Sequence, residues 1–157
     1  MLFRSSALLC NTTGTCNTAV GGGALRNNTQ GLCNTAVGYG ALLNNITGCN
    51  NTAVGQQALM CATTNNNTAV GFRTLCSNTT GVSNSGFGAY SLFSNTTGAC
   101  NTAVGQNSLC TNSTGTLNSA FGMNALRSNT TGACNTAVGH CAQCNISTGV
   151  NNTIAVG

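Results

Sequence analysis

Asn34-Thr35-Ala36-Val37-Gly38 decides how this chain is read. The same five residues recur at 17–21, 51–55, 67–71, 101–105 and 135–139, and looser copies begin at Asn84, Asn118 and Asn152. The starting numbers 17, 34, 51, 67, 84, 101, 118, 135 and 152 differ by 17, except for one step of 16 from 51 to 67. A fixed period of that size is the mark of one structural unit repeated along an axis. Residues 1–157 are therefore expected to form a single repeat array.

The contents of the unit fix its type. Counting from the Asn as position zero, position one is Thr or Ser, position two is small, position three is Val or Phe, position four is Gly, and position eight is most often Leu. Val and Leu stand five apart with a Gly between them, which is not a helical spacing. The unit is also too short for a strand–helix–strand crossover. A β-branched residue beside Thr and Ala, closed by Gly, reads as a very short strand and a corner. The Ala-Leu pair at positions seven and eight reads as a second short strand. Asn-Thr-Thr-Gly, clearest at 78–81, 95–98 and 129–132, reads as a turn. The fold class expected is all-β: a parallel β-solenoid (β-roll or β-helix) of about nine 17-residue rungs.

Stacking turns each position into a column of like residues about 4.8 Å apart. The expected interior is Val20, Val37, Val54, Val70, Phe87, Val104, Phe121 and Val138, with Leu25, Leu42, Leu59, Leu75, Leu92, Leu109 and Leu126 opposite. The Asn columns are expected to exchange amide hydrogen bonds from rung to rung. Since neighbours on a strand point to opposite faces, Ala19, Ala36, Ala53, Ala69, Ala103, Ala120 and Ala137 should then face outward. Position nine, which includes Leu9, Leu43, Met60 and Phe93, should face outward as well. Small or apolar outward columns mark an interface, with the Ala column as the candidate seam between chains.

Composition narrows the functions. Charged residues are 3%, all four of them Arg (Arg4, Arg26, Arg73 and Arg127), and there is no Asp or Glu. Four scattered arginines make no nucleic-acid-binding stripe. Without carboxylates the chain has no acidic general base, no oxygen cage for a hard cation and no Ser-His-Asp triad, so it is read as a non-enzyme without a cofactor. Neither a signal peptide nor a membrane span is recognised, and no capping rung is seen at either end. The array is therefore expected to be a segment of a longer fibre or to stack end to end.

Eleven cysteines carry two readings. Cys16 and Cys33 share a position on adjacent rungs, at a spacing compatible with a disulfide and hence with an oxidising compartment. Cys33 with Cys49, and Cys61 with Cys76, are near-register alternatives. The other reading is that Cys fills a small, partly buried column. His140-Cys141-Ala142-Gln143-Cys144 is weak as a metal site, because neighbours on a rung point apart. Sequons at Asn11, Asn78, Asn95 and Asn129 are read first as turn residues and only second as glycan acceptors.

Asn34-Thr35-Ala36-Val37-Gly38-Tyr39-Gly40-Ala41-Leu42 followed by Asn45-Ile46-Thr47-Gly48 closely resembles repeat arrays of bacterial and phage tail-fibre and adhesin proteins. It is more loosely similar to the head repeat of YadA-like trimeric autotransporter adhesins. That resemblance implies a homotrimer of β-rolls outside the cell, on a cell or virion surface. The implied role is a stiff shaft that presents a receptor-binding part, with weak contacts to cell-surface glycans through exposed Asn, Thr, Tyr39, Phe72 and Tyr90. Regular Thr columns also resemble insect-type antifreeze solenoids, so ice binding is the alternative. A self-assembling extracellular filament is a further one. Against ice binding, the Thr at position one is expected to share the inward face of Val.

Overall fold

The structure, a computed structural model, describes residues 5–145 and 149–157. It is all-β, with no helix among the described residues. Nine three-residue strands follow in order: β1 (Thr18–Val20), β2 (Thr35–Val37), β3 (Thr52–Val54), β4 (Thr68–Val70), β5 (Ser85–Phe87), β6 (Thr102–Val104), β7 (Ser119–Phe121), β8 (Thr136–Val138) and β9 (Ile154–Val156). They form one parallel sheet in sequence order, a β-solenoid of about eight turns. Like pairs with like: Thr35 with Thr52, Ala36 with Ala53, Val37 with Val54. The last step is longer by one residue. Thr136 pairs with Ile154, so Thr153, not Asn152, takes position zero of the final rung and donates its hydroxyl to Asn135 Oδ1 at 2.8 Å.

The second strand expected at the Ala-Leu pair is absent. The chain there runs through successive turns: Ala24 N–H donates to Gly21 O, Arg26 N–H to Gly23 O and Asn28 N–H to Leu25 O, at 3.1–3.2 Å. Gly23 (φ 71°) and Leu25 (φ 49°) occupy the third place of the first two turns, where a type II turn requires a left-handed residue. Leu42, Leu59, Leu75, Leu92, Leu109 and Leu126 repeat that conformation, with φ between 48° and 52°. A left-handed Leu costs about 1–2 kcal/mol of backbone energy. It survives because full burial of the side chain, about 1.5–3 kcal/mol, offsets that cost. The turn also breaks the in–out alternation, so Ala24 and Leu25 both point inward.

This geometry inverts part of the predicted interior. The Leu column is buried throughout. The Val column is not: Val20 is 57% exposed, Val37 36% and Phe121 42%, and Val54, Phe87, Val104 and Val138 also face outward, with Val70 half-buried. Ala36, Ala53, Ala69, Ala103, Ala120 and Ala137 are fully buried and Ala19 partly so, which removes them as a seam. The physical reason is room. A methyl group built on Gly86, at the Ala position, would lie 2.6 Å from Thr74 Cγ2 and 3.6 Å from Leu75 Cδ1. The Leu column and position seven already fill the narrow cross-section, so position two admits nothing larger than Ala. Position nine is mixed: Leu9, Arg26 and Arg127 face outward as expected, while Cys76 is buried and Leu43, Met60 and Phe93 are half-buried.

The other half of the interior is polar. At position zero, Asn17, Asn34, Asn51, Asn67, Asn84, Asn101, Asn118 and Asn135 form a ladder. Up to Asn118, each Oδ1 accepts the backbone N–H and the side-chain N–H of the next Asn, as Asn34 Oδ1 does from Asn51 at 2.9 and 3.2 Å. At position eleven, Asn11, Asn28 and Asn45, then Asn78, Asn95, Asn112 and Asn129, form a second ladder at 2.7–2.9 Å. Both ladders meet at one carbonyl per rung. Gly98 O accepts from Asn84 Nδ2 at 2.8 Å and from Asn95 Nδ2 at 2.9 Å. Buried polar groups cost little when satisfied in this way, and satisfied networks rigidify what they join.

Candidate interaction surfaces

The outward face of the sheet is the most regular surface of the molecule. With position two turned in, positions one and three share the outer face. Thr35, Thr52, Thr68, Ser85, Thr102, Ser119 and Thr136 are half-buried there beside the Val/Phe column. The Thr column was expected inside; it follows Val outward because both lie two residues apart on one strand. Rung spacing of about 4.8 Å and a two-residue step of about 6.6 Å make a regular grid of hydroxyl and methyl groups.

The turn face, carrying positions five, six and nine, is irregular. A groove of about 250 Å³ is lined by Gly22, Gly23, Arg26, Tyr39, Leu43 and Met60 among others. Gly22 opens it: a Cβ there would meet the Tyr39 ring at 3.3 Å. Tyr39 is 65% exposed. Further along the same face, Phe72, Tyr90 and Phe93 pack edge to face, with ring centroids 5.2 and 5.5 Å apart. The Arg73 guanidinium lies 5.8 Å from the Phe72 centroid and 5.9 Å from that of Phe93, while its Nε donates to Gln57 Oε1 at 2.7 Å. Of the residues expected to touch glycans, Tyr39 and Phe72 are exposed and Tyr90 is half-buried in this cluster. Sequence spacing could not show the cluster, because its members sit at three different positions of the unit.

The sequon asparagines of the Asn-Thr-Thr-Gly turns serve the turn on this fold. Asn78 and Asn95 are fully buried and Asn129 nearly so. The Nδ2 that a glycan would occupy donates instead to a Gly carbonyl, as Asn11 does to Gly14 O at 2.9 Å. The threonines that follow serve the turn: Thr12 Oγ1 and Thr29 Oγ1 donate to backbone carbonyls of the next rung.

The cysteines divide by position. Cys16 and Cys33 are exposed free thiols, not a disulfide; both have left-handed backbones at the corner that precedes the strand. Cys141 and Cys144 are joined, an intra-turn pair that the in–out alternation of a strand hid. Their sulfurs are therefore committed to each other rather than to a metal. His140 is exposed on the same turn. Burial pushes the Cys76 thiol above its ordinary range, helped by Cys61 and opposed by Arg73. Burial does the same at Cys110 against the pull of Arg127. Among the described residues there is no cluster of three or more potential metal ligands, and no helix long and apolar enough to cross a membrane. Comparison with protein-family models, curated proteins and solved structures finds nothing that matches this chain.

Proposed function

We propose that this chain is a shaft segment of an extracellular fibre, of adhesin or tail-fibre type. In this reading three copies pack side by side and hold a receptor-binding part away from a cell or virion surface. The observation that carries it is the outward Val/Phe column, from Val20 through Phe87 and Phe121 to Val138, on the outer face of the sheet. An apolar stripe of that length on a solvent face is the pattern of an interface. A second copy of the same solenoid is the occupant that matches its period. The seam is this column, not the buried Ala column. Two Asn ladders along the axis supply the stiffness a spacer needs. Any glycan contact falls to the turn face, at Tyr39 and the Phe72–Tyr90–Phe93 cluster. Light scattering coupled to gel filtration tests the reading. A trimer that becomes a monomer in the variant Val37→Asn/Val54→Asn/Val104→Asn supports it, and a wild-type monomer at micromolar concentration overturns it.

The Thr/Val grid favours one second reading, ice binding, because it puts hydroxyls and methyls in register on one surface. Thermal hysteresis in dilute solution separates the two. A wild-type monomer with hysteresis that Thr52→Lys abolishes would replace the shaft reading.

A further inference from the structure

One internal rung is short, and its departures from the regular rungs cluster. The rung from Asn51 to Asn66 has sixteen residues instead of seventeen. Its position-eleven residue is Ala62, so the second Asn ladder breaks there. Asn45 Oδ1, directly above the gap, is buried without a hydrogen-bond partner. Some backbone bonds from this rung to the next are longer than their counterparts, while Leu59 N–H to Thr74 O keeps 3.0 Å. Cys61 N–H donates to Cys76 O at 3.3 Å, where Cys10, Asn27, Asn44, Ser77, Ser94 and Thr111 make the same contact at 2.9–3.2 Å. Thr63 N–H reaches Thr79 O at 3.5 Å and Ser83 N–H reaches Asn65 O at 3.4 Å. Across this loosened step stand two free thiols, Cys61 half-exposed and Cys76 5% exposed. They belong to adjacent rungs whose backbones touch at these two residues.

We propose that Cys61 and Cys76 form a thiol-oxidation site, a cross-rung disulfide that clasps the shortened step of the solenoid. The oxidant is a low-molecular-weight disulfide such as oxidised glutathione. Cys61, the more accessible thiol, attacks as thiolate on one sulfur of the oxidant and releases one glutathione thiolate. Cys76 then attacks Cys61 Sγ and releases the second. The two protons lost by the cysteines go to the two glutathione thiolates. Two protein thiols are oxidised and one small disulfide is reduced to two thiols. The contact between Cys61 N and Cys76 O holds the two Cα atoms within the range a disulfide spans. The clasp replaces the cohesion that the missing Asn ladder bond and the longer backbone bonds withhold.

Trypsin provides the assay, because Arg73 lies between the two cysteines. The folded protein is incubated with oxidised glutathione, remaining thiols are alkylated, and the chain is unfolded and digested. The expected result is a peptide pair, 27–73 linked to 74–127, two hydrogens lighter than the sum of its parts. The pair disappears in Cys61→Ser and in Cys76→Ser and persists in Cys49→Ser and Cys110→Ser. On the wild type alone, isotope-coded alkylation should show Cys61 and Cys76 losing reactivity in equal proportion, which needs no variant to fold. The oxidised wild type should melt on the order of 5–10 °C above the reduced form, with no such gain in Cys61→Ser. Persistence of the pair in either Ser variant, two glutathione adducts in its place, or an equal gain in melting temperature in Cys61→Ser overturns the proposal.

Discussion

Asn45 Oδ1 is left without a partner because the residue that stacks on it is Ala62. Each of its counterparts Asn28, Asn78, Asn95 and Asn112 accepts an amide N–H from the Asn one rung on. The gap is accommodated locally. Thr64 stands where other rungs carry the Gly that abuts the ladder. Its carbonyl takes the donation from Asn51 Nδ2 at 2.5 Å, and its hydroxyl donates to Gly81 O at 2.8 Å. In the regular rungs a side chain at that Gly would run into the Asn three residues before it, as at Gly98 against Asn95 Oδ1. Loss of the Asn at 62 removes one of the two closest contacts that exclude a side chain there, the other being the carbonyl of the next rung.

The same residue change should therefore cost different amounts along one ladder. Asn95→Ala removes the donations to Asn78 Oδ1 and Gly98 O and the acceptance from Asn112, and it orphans Asn78 Oδ1. Asn45→Ala also removes two donations and orphans Asn28 Oδ1, but it loses no acceptance and deletes an oxygen that is already unpaired. With about 0.5–1.5 kcal/mol per net hydrogen bond and about 1–3 kcal/mol per buried orphan, Asn95→Ala should destabilise by about 1–2 kcal/mol more than Asn45→Ala. Urea unfolding of both variants measures the difference; equal costs would mean that the ladder bonds carry no net stability.

Adjacent residues on β6 test which column is inside. Ala103→Val pushes two methyls into a filled cross-section and should cost about 1–3 kcal/mol. Val104→Thr changes an outward side chain and should leave the stability of a single chain within about 0.5 kcal/mol. Denaturation midpoints at a protein concentration low enough to hold the chain monomeric make the comparison. The reverse order would restore the Val column to the interior.

Much of this architecture is legible in the sequence because stacking copies the repeat into columns. The period gives the rung, the Asn at position zero gives the ladder, and the size of Leu25 and its counterparts sends them inward. Strand alternation states that Ala36 and Val37 face opposite ways but not which one faces in. Hydrophobicity ranks Val above Ala for the interior; the space left by Leu42 and Ala41 decides the other way. That space depends on a left-handed Leu, which sequence statistics argue against and only the turn geometry reveals. The Phe72–Arg73–Tyr90–Phe93 cluster is invisible to column reading for a related reason, since it joins residues of unlike position brought together by the turns.

Buried thiols set an alkaline limit on stability. The folded state holds the Cys76 and Cys110 protons more tightly than the unfolded chain does, chiefly through burial. Between the unfolded and folded values the native state binds more protons, so stability must fall as pH rises. The contribution is unchanged below the ordinary thiol value of about 8.5 and is lost progressively above it. Unfolding of the reduced protein at pH 7.5 and 9.5 should show this loss, and Cys76→Ala should flatten the slope. A slope unaltered by that substitution would place the titrating group elsewhere. Iodoacetamide at pH 8.5 should label Cys16 and Cys33 well before Cys76 in the folded chain.

Gly86 and Thr74 should behave as a coupled pair. Gly86 is the one glycine in the buried Ala column, between Ala69 and Ala103. Position seven, usually Ala, is Thr74 and Ser91 beside it, and both are buried. A Cβ on Gly86 would stand 2.6 Å from Thr74 Cγ2 and 2.9 Å from Ser91 Oγ. The bulk has moved from one wall of the cross-section to the other. Gly86→Ala alone should overpack the site and cost about 1–3 kcal/mol. Thr74→Ala alone removes a methyl group and the hydroxyl that donates to Gly88 O at 2.7 Å, at a cost of about 1–2 kcal/mol. The double variant recreates the cross-rung Ala/Ala pairing of Ala41 with Ala53 and should be more stable than the sum of the single losses predicts by about 1 kcal/mol or more. A double-mutant cycle by urea denaturation measures that coupling. Strict additivity would mean that the two walls do not share the space.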